Sequence, residues 1–321
     1  LEAGMTAAEE ETPWLRLARF SEDHAENKRL WNGYQKYLLR PNRGEYQRQM
    51  ENPEFADIVD LSDAEIRKIQ NRIPDFPKVL SGLPKKFRNL ILASEEPGAI
   101  FLTKGIEEIK TPLELDGFYF AFRVFIRNTR FKSELTLQHA QFAAGLGAIE
   151  CIFEEGLDAT AAKFESDTSF YKCQFIEGTS FRDAKFKKVS NFSGANFEDY
   201  CVFENAEFAG RAFFTDSIFT NSSTFKSVKF HGVTFFNLAA ASSAAAPLSF
   251  KDAKFCKHPQ GFLAARCMKI PIGRVLNCQT PEERLLNASV SKRTTNAPMI
   301  RFRWPINHGT PKRRRLYRGN S

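Results

Sequence analysis

The strongest set of residues for chemistry in this chain is Cys256, His258, Cys267 and Cys278. Thiolate and imidazole are the ligands zinc prefers, and two of them set two residues apart can hold one ion from a single loop. A zinc site usually repeats such a pair in its second half. Here Cys267 and Cys278 stand eleven residues apart, so the four read as separate side chains and not as a metal centre. The other histidines are His24, His139, His231 and His308. His139 and His231 fall at corners of the repeat described below and read as exposed. No GxSxG, Walker A, GxGxxG or HExxH run is present. The expectation is therefore a protein that is not an enzyme, with no catalytic residue, no cofactor, no metal and no small-molecule substrate.

Charge offers a second kind of chemistry. Lys+Arg total 46 against 38 Asp+Glu, a formal +8. Residues 1–117 carry 17 basic and 21 acidic side chains, residues 118–236 carry 13 and 14, and residues 237–321 carry 16 and 3. The excess thus lies wholly in the last segment, which ends in Lys312-Arg313-Arg314-Arg315. Two partners suit such a tail: nucleic-acid phosphates or an anionic membrane surface. Only Phe302, Trp304 and Tyr317 are at hand to stack on bases. Scattered prolines and the lack of periodicity favour a disordered or loosely packed basic tail over residues 256–321, with an atypical terminus as the alternative.

The elements that would have to position any site are set by phenylalanine. It recurs every eleven residues from Phe120 to Phe230, eleven times in succession. A second series, Phe170 to Phe236, interleaves with it, so neighbouring Phe stand five and six residues apart in alternation. In most copies the residue two before each Phe is small, as in Ala184/Phe186, Ser190/Phe192, Ala195/Phe197, Cys201/Phe203 and Ala206/Phe208. Positions i and i−2 point the same way in extended chain, so each short piece sends one small residue and one Phe inward. Gaps of five and six would scatter around a helix of 3.6 residues per turn. Four-residue pieces that all turn the same way give a coil of four faces and about 22 residues, and identical units must then stack.

Leu115, Ile126, Leu137, Ala148 and Ala159 continue the second series upstream. Counting from there to Phe250-Lys251-Asp252-Ala253-Lys254-Phe255 gives about six coils over residues 113–255. The Ala/Ser-rich stretch at 238–247 reads as a loop insertion near 237–249, extruded from one corner. Residues 1–112 read as a helical N-terminal region. An apolar stripe runs through residues 14–39, and Ser62 with Glu65 forms a capping-box pattern ahead of Ile66, Ile69 and Ile73. Its expected role is a cap over the open first coil, since an uncovered end is an unpaired strand edge. Cys151, Cys173 and Cys201 occupy small inward positions and read as reduced thiols. With no hydrophobic run in residues 1–12, the expected location is cytoplasmic.

These residues resemble the pentapeptide-repeat family, whose fold is an all-β solenoid, a right-handed quadrilateral β-helix. The alternating spacing matches its Phe-rich eleven-residue variety and leaves the corner geometry open. The resemblance implies a scaffold or protein-interaction module whose protein partner docks on the faces of the β-helix, and a homodimer joined at the C-terminal ends of two rods. Some members of the family are acidic rods that imitate DNA and bind topoisomerases. A net charge of −1 over residues 118–236 argues against that role here.

Overall fold

The computed structural model describes residues 11–74, 99–236, 240–241 and 248–257. All of these belong to one compact unit, Leu1–Cys278; the second, Gln279–Ser321, has no described residue. The expectation for the tail therefore lies outside the described residues beyond Lys257, as do 237–239 and 242–247 of the inserted loop.

Among the described residues, five helices precede the coil: α1 (Pro13–Ala18), α2 (His24–Leu39), α3 (Arg43–Met50), α4 (Pro53–Ala56) and α5 (Asp63–Arg72). The stripe over 14–39 is divided into α1 and α2, because Asp23 accepts from the Ala25 amide and starts a new helix. Ser62 and Glu65 form the capping box expected of them.

From Ile100 onward the chain is a parallel β-solenoid. Its short strands, mostly two residues long, form four sheets, one per face. Three sheets have seven strands each; the fourth has five, extended by bridges at Thr224 and Ser249. The register advances by 22 residues, as in Phe153 opposite Phe175 and Phe164 opposite Phe186. The solenoid thus has about seven turns where the spacing of Phe suggested six. The extra turn is built by Ile100, Leu102 and Ile109, upstream of Leu113. At the other end, Ala240 and Ala241 pair with Ile218 and Phe219, so part of the Ala/Ser stretch stays in the ladder. Ser249 then follows Ala241 by eight residues, where Thr224 follows Phe219 by five, so the insertion amounts to three residues.

The core is a set of four ring columns. Phe186 stacks on Phe208 at 4.6 Å and 3°, and Phe197 on Phe219 at 4.7 Å and 9°. Columns of opposite faces meet edge-on across the interior, as do Phe181 and Phe192 at 5.4 Å and 81°. Offset stacked and edge-on pairs suit the ring quadrupole. Ala140, Ala162, Ala184, Ala195 and Ala206 are completely buried beside them.

The two spacings are two kinds of corner. In the five-residue corner, the amide of the small residue donates to the carbonyl of the preceding inward residue, as from Ala184 to Phe181 at 3.2 Å. The second of the two residues between them has positive φ in every copy from Gly117 to Ser227, in steps of eleven. That combination is the type II arrangement. The six-residue corner is closed differently. There a Cβ on Gly210 would lie 2.1 Å from the carbonyl oxygen of Lys188, and one on Gly232 would lie 2.0 Å from that of Gly210.

The N-terminal helices cover the first edge with side chains that imitate a strand. Trp31 Nε1 donates to the Tyr119 carbonyl at 3.0 Å, the Tyr119 amide donates to Asn32 Oδ1 at 2.7 Å, and Asn32 Nδ2 donates to the Gly117 carbonyl at 3.4 Å. Tyr119 begins the edge strand of its sheet, so these bonds satisfy groups that would otherwise template aggregation.

Candidate functional site

Because the inward positions are filled by packed rings and small side chains, chemistry is left to the outward positions. On the face that begins with Tyr119, pairing aligns Gln141, Lys163, Lys185, Glu207, Lys229 and Lys254 in one outward column. Beside it, Glu165, Lys187, Ala209, His231 and Cys256 each follow an inward Phe.

Several charges on the rod are paired with the next coil. Lys187 meets Glu165 at 2.5 Å, and Glu204 is held by Arg182 at 3.0 Å and Lys226 at 2.5 Å. Lys132 meets Glu154 at 2.9 Å, with Arg130 on the same carboxylate. The Lys226 hydrogen bond holds the Glu204 carboxyl below its usual range, and Lys132 and Arg130 do the same to Glu154. Lys185, Lys188, Arg211, Lys229, Lys251 and Lys254 differ. None has a carboxylate partner among the described residues, and all six are exposed.

The structure places the residues that sequence singled out as follows. Cys256 is half-buried on this same face, while His258, Cys267 and Cys278 lie outside the described residues. No group of three His, Cys, Asp or Glu among the described residues is arranged to hold a metal ion. His139 is exposed with φ of 56° and lines a cleft of about 250 Å³ with Asn32, Glu54, Tyr119 and Lys163. His24 is structural: its Nε2 lies 3.1 Å from the Asp116 carbonyl, and its ring stacks on Phe118. Cys151, Cys173 and Cys201 are free thiols in the dry core. Burial pushes the Cys173 and Cys201 thiols well up.

His231 is not the solitary exposed side chain its position suggested. Its Nε2 is 3.0 Å from Glu207 Oε1, and its Nδ1 is 3.7 Å from Cys256 Sγ. A thiol beside an imidazole that a carboxylate orients has the order of nucleophile, base and orienting group. Sequence reasoning missed this row because 25 residues, not 22, separate His231 from Cys256. The available signal was that both directly follow a Phe of the first series, Phe230 and Phe255.

No helix among the described residues is long and apolar enough to cross a membrane. No curated protein and no solved structure matches the chain. Residues 148–195 match the family model described as pentapeptide repeats (9 copies). That segment lies in the middle of the coil whose strands, corners and Phe columns are set out above, and it carries the pentapeptide repeats that the sequence resembles.

Proposed function

We propose that this chain is a non-enzymatic binding scaffold, a rigid rod whose outer faces meet a macromolecular partner, with a protein partner as the first expectation. The observation that carries this reading is the division of labour along each strand. Inward positions repeat almost without change, while outward neighbours vary from Gln141 through Lys163 and Lys185 to Glu207. Solenoids expose such long, regular surfaces for recognition. The fold supports a scaffold or interaction module in general.

A second reading rests on the charge of residues 237–321, with 16 basic against 3 acidic side chains. There the tail tethers the protein to nucleic acid or to an anionic membrane, and the rod is carried along. Affinity capture with the full chain beside a chain lacking residues 256–321 separates the two. Partners retained without the tail support the scaffold; partners lost with it move the function to the tail. A substrate turned over by the purified chain would overturn both.

A further inference from the structure

We propose that the face of the rod bearing Lys185, Lys229 and Lys254 is a binding site for the phosphate backbone of a nucleic acid. The inference rests on reading the chain as a binding module and names the ligand of one face. It is independent of the C-terminal tail.

The argument begins with unpaired charge. Elsewhere on the rod, Lys132 and Lys172 are satisfied by carboxylates on a neighbouring coil. Lys185, Lys229 and Lys254 are not, and strand pairing puts them in a single outward column with Glu207 among them. Parallel strands stand about 4.8 Å apart, so this column runs for about 14 Å along the rod axis. Lys188 and Arg211 flank it at the next corner, and Lys251 flanks it at the opposite one. Six unpaired cations on one rigid surface repel each other and lower stability. A polyanion relieves that repulsion. Duplex DNA presents about one charge per 1.7 Å of axis, so a column of this length spans several phosphates, and their counterions are released on contact.

The relief of the face also fits. Ala209, Gly210 and Gly232 carry little or no side chain, so the ground between the long lysines is low enough for a backbone to approach. Glu207, the one acid in the column, is engaged by His231 at 3.0 Å. Beside Arg211 only the half-buried Val189 and Val233 are aliphatic, and the face shows no exposed Trp, Phe or Leu among the described residues of the sort that an interfacial membrane anchor inserts between lipids. The linear array therefore favours a nucleic-acid strand over a lipid surface.

The test uses the full chain. Fluorescence anisotropy follows binding to a short labelled oligothymidylate and to a mixed-sequence duplex as salt is raised from about 50 to 200 mM. One variant combines Lys185→Gln, Lys229→Gln and Lys254→Gln. A control combines Lys132→Gln with Lys172→Gln, both paired cations away from this face. A third replaces Lys312, Arg313, Arg314 and Arg315 with Gln. The face variant is expected to weaken binding by about tenfold or more and to lower the log–log salt slope by about two to three. The control and the tail variant should keep most of the affinity. Equal affinity of the face variant and the native chain overturns the proposal. So does binding lost only in the tail variant, or binding to phosphatidylserine-containing vesicles with none to either oligonucleotide. Absence of binding to every probe, with native melting, removes this inference alone, since affinity capture judges the scaffold reading separately.

Discussion

The Sγ of Cys256 lies 3.7 Å from Nδ1 of His231, one coil apart, on the same face as the unpaired lysines. A thiol with an adjacent proton acceptor alkylates faster than an isolated one. Iodoacetamide on the native protein, read by peptide mapping, should therefore label Cys256 ahead of Cys151, Cys173 and Cys201, which are fully buried. His231→Ala should slow Cys256 severalfold and leave the other three silent until the protein unfolds. Early labelling of Cys173 would show that the core is not dry.

Phe197 is stacked between Phe175 at 4.8 Å and Phe219 at 4.7 Å, with 1% of its surface exposed. Neither neighbour can move inward without breaking its own stack, so the cavity left by truncation persists. Phe197→Ala should cost about 3–5 kcal/mol in equilibrium denaturation. An unchanged midpoint would mean that the ring column is not the core.

The two corner types should respond oppositely to a methyl group. Gly210→Ala places a Cβ against the Lys188 carbonyl and should destabilise by about 1–3 kcal/mol. Ala161 holds φ of 57° with its methyl already in place. The left-handed conformation costs an L-residue about 1–2 kcal/mol, and glycine returns part of that as unfolded-state entropy. Ala161→Gly should consequently be neutral or stabilise by up to about 1 kcal/mol. Thermal melting of the two variants side by side checks the contrast.

Trp31 joins the cap to the coil through its bond to the Tyr119 carbonyl and through rings 5.4 Å from Phe118 and 5.2 Å from Phe120. Trp31→Phe keeps an aromatic ring but leaves that buried carbonyl without its donor. The expected loss is about 1–3 kcal/mol. Hydrogen exchange should show the strand at Tyr119 opening before the coils at Phe186 and Phe208.

Hydrogen bonds from the Ser62 side chain and backbone, with Arg29 behind them, lower the Glu65 carboxyl from 4.5 to about 2. A depressed folded-state value means that its contribution is complete above about pH 4.5 and disappears as pH falls toward 2. The side chain is half-buried at the protein surface, where solvent still screens the pair, so its worth is about 1 kcal/mol or less. Glu65→Gln should lower the urea midpoint at neutral pH, and the two proteins should converge near pH 2.

Much of this was legible because a short period repeats the same physical constraint many times. Phe186 preceded by Ala184 already states which side chains face inward, how large the slot is, and that the chain turns after each piece. The first coil was not legible, because Ile100, Leu102 and Ile109 carry no Phe spacing and the register from Ile100 to Val124 is 24 residues. The cap was visible as helices, but nothing in their pattern indicated that Trp31 and Asn32 would bond to the backbone of an edge strand.

By itself, then, the sequence determined the four-faced coil, its dry interior and its near-neutral charge over residues 118–236. These follow from side-chain size and alternation, which are local properties. Only the tertiary structure decided which outward residues become neighbours. Side chains 22 residues apart are remote along the chain but about 4.8 Å apart across strands, and a three-residue insertion resets which of them align. That register pairs Lys187 with Glu165, sets Cys256 over His231, and leaves Lys185, Lys229 and Lys254 together on one face without partners.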